Sequence, residues 1–372
     1  MTTTINGSSP SITFSDGSAQ TSATQPFQNR IINGAMVIDQ RNAGASVTAT
    51  SSNLFTLDRW RAFSVGNSKY SVQQNAGSVT PPVGFSNYLG VTSLAATSSG
   101  STDYYGISHA IEGFNTADLN WGTANAKTVT ISFWVRSSLT GTFAGSLLNS
   151  ASDRSYPYTF TISAANTWEQ KSVTIAGDTT GTWATGNTTG ILVVFNLGYG
   201  STYSGTANTW QAGGYYSATG ATSVVGTNGA TFYITGVQLE VGSTATSFDY
   251  RPYGTELALC QRYYYRIKAA SANAPFATGF NFSTTQSATV IPFPVSMRIE
   301  PTALEQSGTA ADYRVLNSSA SSVNCSSVPS FATASVDSSQ VNTTVSSGLT
   351  QGDGTIFRAT NTSAYLGWSA EL

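Results

Sequence analysis

One twelve-residue stretch constrains the fold more than any other. Thr231-Phe232-Tyr233-Ile234-Thr235-Gly236-Val237-Gln238-Leu239-Glu240-Val241-Gly242 reads as a single long strand with a register fault at its centre. Phe232 and Ile234 point to one face, whereas Val237, Leu239 and Val241 have the opposite parity. An unbroken strand would turn half of these apolar side chains to water. One extra residue at Thr235-Gly236 restores the register, and glycine makes such a bulge most readily. A bulged strand bends and twists sharply, as a strand closing a curved sandwich does. The stretch therefore predicts a late core strand of a β-sandwich.

The chain before it supplies the remaining strands. Val129 to Arg136 alternates, with Val129, Ile131, Phe133 and Val135 on the core side. Tyr158 to Ile162 and Trp168 to Ile175 alternate as well, and Ile191 to Leu197 is apolar on both faces, as a covered central strand is. Gly141, Asn149, Asp153, Gly177-Asp178, Gly181 and Gly186-Asn187 punctuate these runs. Short strands at this spacing, without an amphipathic helical window or an internal repeat of 20–50 residues, predict an all-β jelly-roll sandwich over 29–254.

Three further segments flank that domain. Residues 1–28 are rich in Ser, Thr and Gln, with one alternation at Ser11-Ile12-Thr13-Phe14. They read either as a flexible arm or as a strand that pairs with a neighbour by edge addition. Residues 255–267 carry Thr255 as a cap and Leu257, Cys260 and Tyr264 at helical spacing, which predicts a connecting helix between two β domains. Residues 268–372 return to strands and predict a smaller C-terminal β-sandwich. There Pro292 and Pro294 belong on an edge or on the unpaired side of a strand.

Several short motifs resemble those of bacteriophage tail-fibre and tail-tip proteins. They are Asn29-Arg30-Ile31-Ile32-Asn33-Gly34-Ala35-Met36, Asp39-Gln40-Arg41, Leu57-Asp58-Arg59-Trp60, Gly236 to Gly242, Phe248 to Gly254 and Glu256 to Tyr264. The resemblance spans roughly 29–264 and continues more weakly at Phe293 to Arg298 and Trp368 to Leu372. It implies a jelly-roll domain similar to carbohydrate-binding modules. It also implies a homotrimeric virion appendage that contacts host surface polysaccharide, with the N-terminal arm attaching to other tail proteins. Such a protein is made in the host cytoplasm and acts at the host surface. A capsid decoration or head-fibre protein, a polysaccharide-degrading tail enzyme and a cellular carbohydrate-binding module are the alternatives. No signal peptide is read at Met1, which counts against the last of them.

Composition narrows the function classes. At 372 residues the chain is long for one core, and only 9% of it is charged, against about 25% in ordinary soluble domains. With 12% aromatic residues the low charge does not signal disorder. A net charge of −2 without a basic stripe gives no footprint for nucleic acid. No apolar run approaches the roughly 20 residues of a membrane helix. Cys260 and Cys325 lack metal-site spacing and read as buried thiols, with a disulfide as the alternative.

Catalytic chemistry has little material. The single histidine, His109, lies in a strand-like run and reads as structural, and no nucleophile elbow, zinc motif or phosphate loop occurs. The acidic residues Asp103, Glu112, Asp118, Asp153, Glu169, Asp178 and Glu240 are too scattered for the sequence to pair two at the spacing of about 5–10 Å that glycoside cleavage needs. An enzyme is therefore not expected. Sugar binding is better supplied. Trp183, Tyr199, Tyr203, Trp210, Tyr215 and Tyr216 sit among Gly, Ser, Thr and Asn, and Trp134 faces away from the core set of its strand. Such rings can receive the apolar C–H face of a pyranose, or they can cover the underside of their own loops. Jelly-roll modules often hold a structural calcium. Asp178, Thr179 and Thr180 offer oxygens for one, but without EF-like spacing the sequence assigns no site, and no cofactor is expected.

Overall fold

The computed structural model describes residues 4–6, 11–13, 19–20, 28–50, 54–65, 68–319 and 321–372. Two sheets form the large sandwich. One has six strands in the spatial order Glu169–Ile175, Val129–Ser137, Thr231–Val241, Leu89–Ser93, Tyr70–Gln74 and Val47–Thr48. The other has seven, in the order Gln211–Ala212, Arg154–Ile162, Gly141–Leu148, Thr189–Tyr199, Tyr104–Glu112, Trp60–Ser64 and Leu54–Phe55. Neighbours within both sheets run antiparallel. The sheets share one core that includes Trp60, Ile131, Phe133, Phe143, Phe195, Phe232 and Leu239.

The fault in Thr231–Val241 is a bulge at the predicted place. Ser132 pairs with Gln238, but Trp134 pairs with Thr235, so three steps on one strand match two on the other. Gly236 sits at φ +60°, a region where a Cβ is costly. Both parities are thereby buried: Phe232 and Ile234 before the bulge, Val237 and Leu239 after it. Val241 runs past the core and is 43% exposed. Leu89–Ser93 pairs only with the first half of this strand. Beyond the bulge that edge is taken by the segment 29–34. Asn29 Nδ2 donates to the Val237 carbonyl at 3.0 Å, Arg30 N to that of Leu239 at 2.9 Å, and Val237 N to that of Gly34 at 3.0 Å. The first and later motifs of the chain are thus one hydrogen-bonded unit.

The helix is shorter than predicted. It covers Tyr253–Gln261, begins after Pro252 without a side-chain cap, and ends before the three tyrosines. Tyr264–Lys268 is instead a strand, paired with Tyr365–Ser369. The helical spacing of Leu257, Cys260 and Tyr264 misled because Tyr264 packs from a strand: its ring lies 3.5 Å under the Arg41 guanidinium. Propensity yields here to tertiary pairing.

The C-terminal sandwich joins a three-stranded sheet, Tyr264–Lys268, Tyr365–Ser369 and Glu305–Gln306, to a seven-stranded one. The latter orders Ser322–Asn324, Tyr313–Leu316, Gly354–Ala359, Pro275–Asn281, Gln286–Pro292, Ser338–Thr344 and Ser330–Ala334. Trp368, Leu366, Tyr313, Phe357, Ile291 and Val341 form their common core. Gln286–Pro292 is an inner strand, not an edge. Pro292 stands at its end, where the ladder with Pro275–Asn281 has already run out, so its missing N–H costs no ladder bond. Among residues 1–28, Thr4–Asn6, Ser11–Thr13 and Ala19–Gln20 pair antiparallel. The strand read at 11–14 corresponds to the middle one, and Phe14 lies outside the described residues. No described helix is long and apolar enough to cross a membrane.

Candidate functional site

Two of the singled-out rings come together with a third that the sequence reading missed. Trp121, Trp183 and Trp210 stand edge to face, with ring centroids 4.7 Å (Trp121–Trp183), 5.3 Å (Trp121–Trp210) and 5.5 Å (Trp183–Trp210) apart, and Tyr156 abuts Trp210 at 5.1 Å. Loop geometry sets this up. Asn120 takes a left-handed turn at φ +55°, which an asparagine tolerates, and Gly122 follows at φ +84°. A Cβ on Gly122 would lie 2.7 Å from the Gly181 carbonyl oxygen, and Gly122 N donates to the Asp178 carbonyl at 2.7 Å. Glycine there lets the Trp121 loop close onto the Trp183 loop.

The indole N–H groups are spent on backbone carbonyls: Trp121 on Lys127 at 2.8 Å, Trp183 on Thr180 at 3.2 Å, Trp210 on Ala176 at 2.8 Å. Trp121 itself is packed into the core at 7% exposure, so the ring surface left to offer is chiefly that of the half-buried Trp183 and Trp210. A pocket of about 150 Å³ opens beside Trp121 and Trp183, lined also by Leu119 and Ile191 and by Thr116, Asn120, Thr123 and Thr185. Thr116 and Thr123 donate to carbonyls of their own turns, Gly113 and Asn120. The Thr185 hydroxyl and the Asn120 side-chain oxygen have no partner among the described residues, so they are the groups left to read a ligand. Trp121 was readable by the rule that found Trp183, since Asn120-Trp121-Gly122 is an aromatic in a Gly- and Asn-containing loop.

The other candidates lie elsewhere. Tyr199, Tyr203 and Tyr216 join Phe63 and Tyr104 in a second ring cluster, with Tyr199 stacked on Tyr216 at 5.8 Å. Tyr199 lies across Gly106, and burial raises its hydroxyl pKa well above the ordinary value. Tyr215 covers the glycines Gly205 and Gly213. Trp134 rests on the bulge glycine, its Cδ1 3.2 Å from where a Gly236 Cβ would stand. All seven named rings are half-buried, so none is a free-standing platform.

The carboxylates are committed. Burial pushes Glu112 up, but Arg262 (2.6 Å) and the Tyr263 hydroxyl (2.5 Å) outweigh it and hold the group below its ordinary range. The same balance holds Asp178 down through a two-bond grip by Arg154, at 2.7 and 2.8 Å. That guanidinium engages both carboxylate oxygens of Asp178, and among the described residues no three acidic, His or Cys side chains cluster as metal ligands. Arg30 holds Asp118 low and Lys171 holds Glu169 low. Glu240 takes Gln238 and Thr246 as donors, while Arg251 pairs with Glu256. His109 is buried, edge-on to Trp60 at 5.1 Å with Nε2 3.0 Å from the Ile32 carbonyl, and burial drives its pKa well down. Cys260 and Cys325 are free, buried thiols.

No protein-family model and no curated protein matches the chain. Among solved structures it is similar to the enzymatically active domain of tailspike protein 4 of bacteriophage CBA120 (11% identity, 59% of this chain and 22% of that one, TM-score 0.32). It is likewise similar to a family 11 carbohydrate-binding module from Clostridium thermocellum in complex with a mixed-linked tetrasaccharide (11% identity, 54% and 98%, TM-score 0.26). A third is the CBM22-1 xylan-binding domain from Paenibacillus barcinonensis (11% identity, 55% and 99%, TM-score 0.25). The chain thus spans about a fifth of the tailspike chain's length.

Proposed function

We propose that this protein binds glycans without cleaving them, and that the pocket beside Trp121 and Trp183 holds a sugar ring. The observation that carries the reading is the composition of that pocket: indole surface with its N–H groups already engaged, next to an unpartnered threonine hydroxyl and amide oxygen. An apolar ring face with a few neutral polar groups is what a pyranose requires. Its volume suits one residue of a chain better than an extended oligosaccharide. Binding without cleavage is supported by the carboxyls. A glycosidase needs one carboxyl held protonated, and Glu112, Asp118, Glu169 and Asp178 are all held the other way. Asp58 is raised to about 6, but it lies sealed under Gln40 at the junction of the sandwiches.

The motif resemblance extends the reading to an adhesive subunit of a phage tail, homotrimeric, attached through residues 1–28 and contacting host surface polysaccharide. Calorimetric titration with polysaccharide purified from a susceptible host tests it. Trp183→Ala is expected to weaken binding by roughly thirtyfold, the loss of about 2 kcal/mol typical of a central contact, and Thr185→Val to weaken it less. No reducing ends are expected on prolonged incubation. Unchanged binding in both variants would remove the pocket from the mechanism, and released reducing ends would replace the adhesin by an enzyme.

A further inference from the structure

The seven-stranded sheet of the C-terminal sandwich carries a charge pattern unlike the rest of the molecule. Its strands contain no acidic residue, and their only charged residues are Arg314 and Arg358. These two stand directly opposite each other on adjacent antiparallel strands, Tyr313–Leu316 and Gly354–Ala359. Opposed side chains on one face have Cβ atoms about 5 Å apart, and like charges so placed destabilise a sheet. Nothing on the protein offsets this. Of the twelve arginines in the chain, Arg314 and Arg358 are the two whose side chains make no hydrogen bond or ion pair among the described residues. The Nε of each is buried without a partner. The Nε atoms of Arg30, Arg59, Arg251 and Arg266 are also buried without a partner, so what distinguishes Arg314 and Arg358 is that no acceptor on the protein meets the rest of their guanidinium groups either.

The same face provides the rest of a site. Two residues along each strand from the arginines, Leu316 opposes Ile356, and Thr278 follows on the next strand. Together with Gly279, Asn317, Ser318, Gly354 and Thr355 they line an open groove of about 390 Å³. Its lining is apolar with neutral side chains, most of them engaged: Asn317 with Gly348, Ser319 and Ser321, Ser318 with the Asp353 carboxylate at the rim, and Thr355 with the Leu316 carbonyl, which leaves the Thr278 hydroxyl without a partner among the described residues. Guanidinium forks match planar or tetrahedral oxyanions in a two-bond geometry.

We propose that Arg314 and Arg358 jointly bind the oxyanion of an acidic saccharide, a uronate carboxylate or a sulfate ester, whose sugar ring lies in the groove over Leu316 and Ile356. The two unpaired guanidinium groups beside the apolar surface of Leu316 and Ile356 and the open Thr278 hydroxyl fit an acidic sugar, anion at one end and ring at the other, better than a second copy of this chain. This site is separate from the tryptophan pocket and is tested separately.

The experiment titrates the full chain with oligogalacturonate, with dextran sulfate and with unmodified dextran, at about 50 and 300 mM salt. At least one acidic polymer is expected to bind, with affinity falling as salt rises, and unmodified dextran is not. Arg314→Gln or Arg358→Gln should each weaken binding tenfold or more, and the double variant should abolish it, while Lys268→Gln, a cation outside this sheet, leaves it unchanged. Thermal unfolding of the ligand-free double variant should occur at the same temperature as wild type or higher, since a repulsion is relieved. Binding by neither acidic polymer, or binding that survives in the double variant, overturns the proposal. So does a lower unfolding temperature of that variant, which would give the arginines a structural role. A change in sedimentation coefficient on making it would assign the face to contacts between copies instead.

Discussion

Arg59 and Glu371 form an ion pair sealed between the two sandwiches. The Arg59 guanidinium donates to Glu371 and to the Ala110 carbonyl and lies 3.6 Å over the Tyr263 ring. Arg41 reaches the other oxygen of Glu371 at 3.1 Å. The Arg59 and Glu371 side chains are 1% and 5% exposed. The short motifs of the sequence, Asp39-Gln40-Arg41, Leu57-Asp58-Arg59-Trp60 and Glu256 to Tyr264, therefore converge on a joint. Gln40 Nε2 donates to the Tyr264 carbonyl at 2.8 Å, and Arg266 donates to the carbonyls of Gln40 and Arg41. Removing one partner of a buried pair leaves the other uncompensated, at about 3–5 kcal/mol. Glu371→Gln should cost that much in chemical denaturation, whereas Glu169→Gln, at the more exposed pair with Lys171, should cost less than about 1 kcal/mol. Equal losses would refute the distinction.

Gly236 tests the bulge. A Cβ there would stand 2.6 Å from Phe85 Cζ and 3.2 Å from Trp134 Cδ1, on a backbone at φ +60°. Gly236→Ala should destabilise the protein by about 1–3 kcal/mol through backbone strain and displacement of these rings. Gly220, also at positive φ (+81°) but with open space around it, isolates the backbone part of that cost. Denaturation of both alanine variants checks it: Gly220→Ala should lose the smaller amount, and an equal loss would mean that the packing against Phe85 and Trp134 is immaterial.

The bulge was legible because parity is a local property of the sequence. The faulty register of Phe232 and Ile234 against Val237 and Leu239 admits few remedies, and a glycine stood at the fault. Val129 to Arg136, Tyr158 to Ile162, Trp168 to Ile175 and Ile191 to Leu197 were legible for the same reason, whereas Tyr70–Gln74, Leu89–Ser93, Gly141–Leu148 and Pro275–Asn281, with weaker alternation or glycine in them, were not. The helix end was not, because Tyr264 continues a helical spacing while its backbone pairs with Ser369, a residue more than a hundred positions away. The tryptophan pocket was half legible. Trp183 and Trp210 stood out from their loop composition, but nothing local brings Trp121 to them, since that contact depends on Gly122 meeting Gly181. The arginine pair was invisible for a similar reason: Arg314 and Arg358 become neighbours only through strand pairing.

Asp58 gives a pH dependence of unusual sign. Burial raises its carboxyl from the ordinary 3.8 to about 6, against the attraction of Arg41 and bonds from Gln40. Between these values the folded chain keeps a proton that the unfolded chain has released. Stability from this group is therefore full below about pH 4 and is lost as pH rises through 6, by about 3 kcal/mol at 1.36 kcal/mol per pH unit. Glu112, Asp118, Glu169 and Asp178, all held low, contribute in the opposite direction and lose stability as pH falls. Asp58→Asn removes only the first component. Unfolding free energies at pH 4, 5, 6 and 7 should show wild type losing about 3 kcal/mol relative to the variant across that range. Parallel curves would mean that Asp58 titrates normally.

Tyr199 and Tyr216 separate packing from hydrogen bonding within one stacked pair. The Tyr199 hydroxyl is buried without a partner among the described residues, whereas that of Tyr216 is 3.1 Å from the Ser152 hydroxyl. A buried hydroxyl that makes no bond carries its full desolvation cost, about 1–3 kcal/mol, and phenylalanine keeps the ring while removing that cost. Tyr199→Phe should therefore leave stability unchanged or raise it by about 1 kcal/mol, with the stack on Tyr216 intact. Tyr216→Phe loses its bond and should cost about 0.5–1.5 kcal/mol. Thermal and chemical denaturation of the two variants, made in parallel, reads the difference directly. A loss at Tyr199 equal to that at Tyr216 would show that its hydroxyl is satisfied in solution, and that the ring cluster over Gly106 is held by polar bonds as well as by stacking.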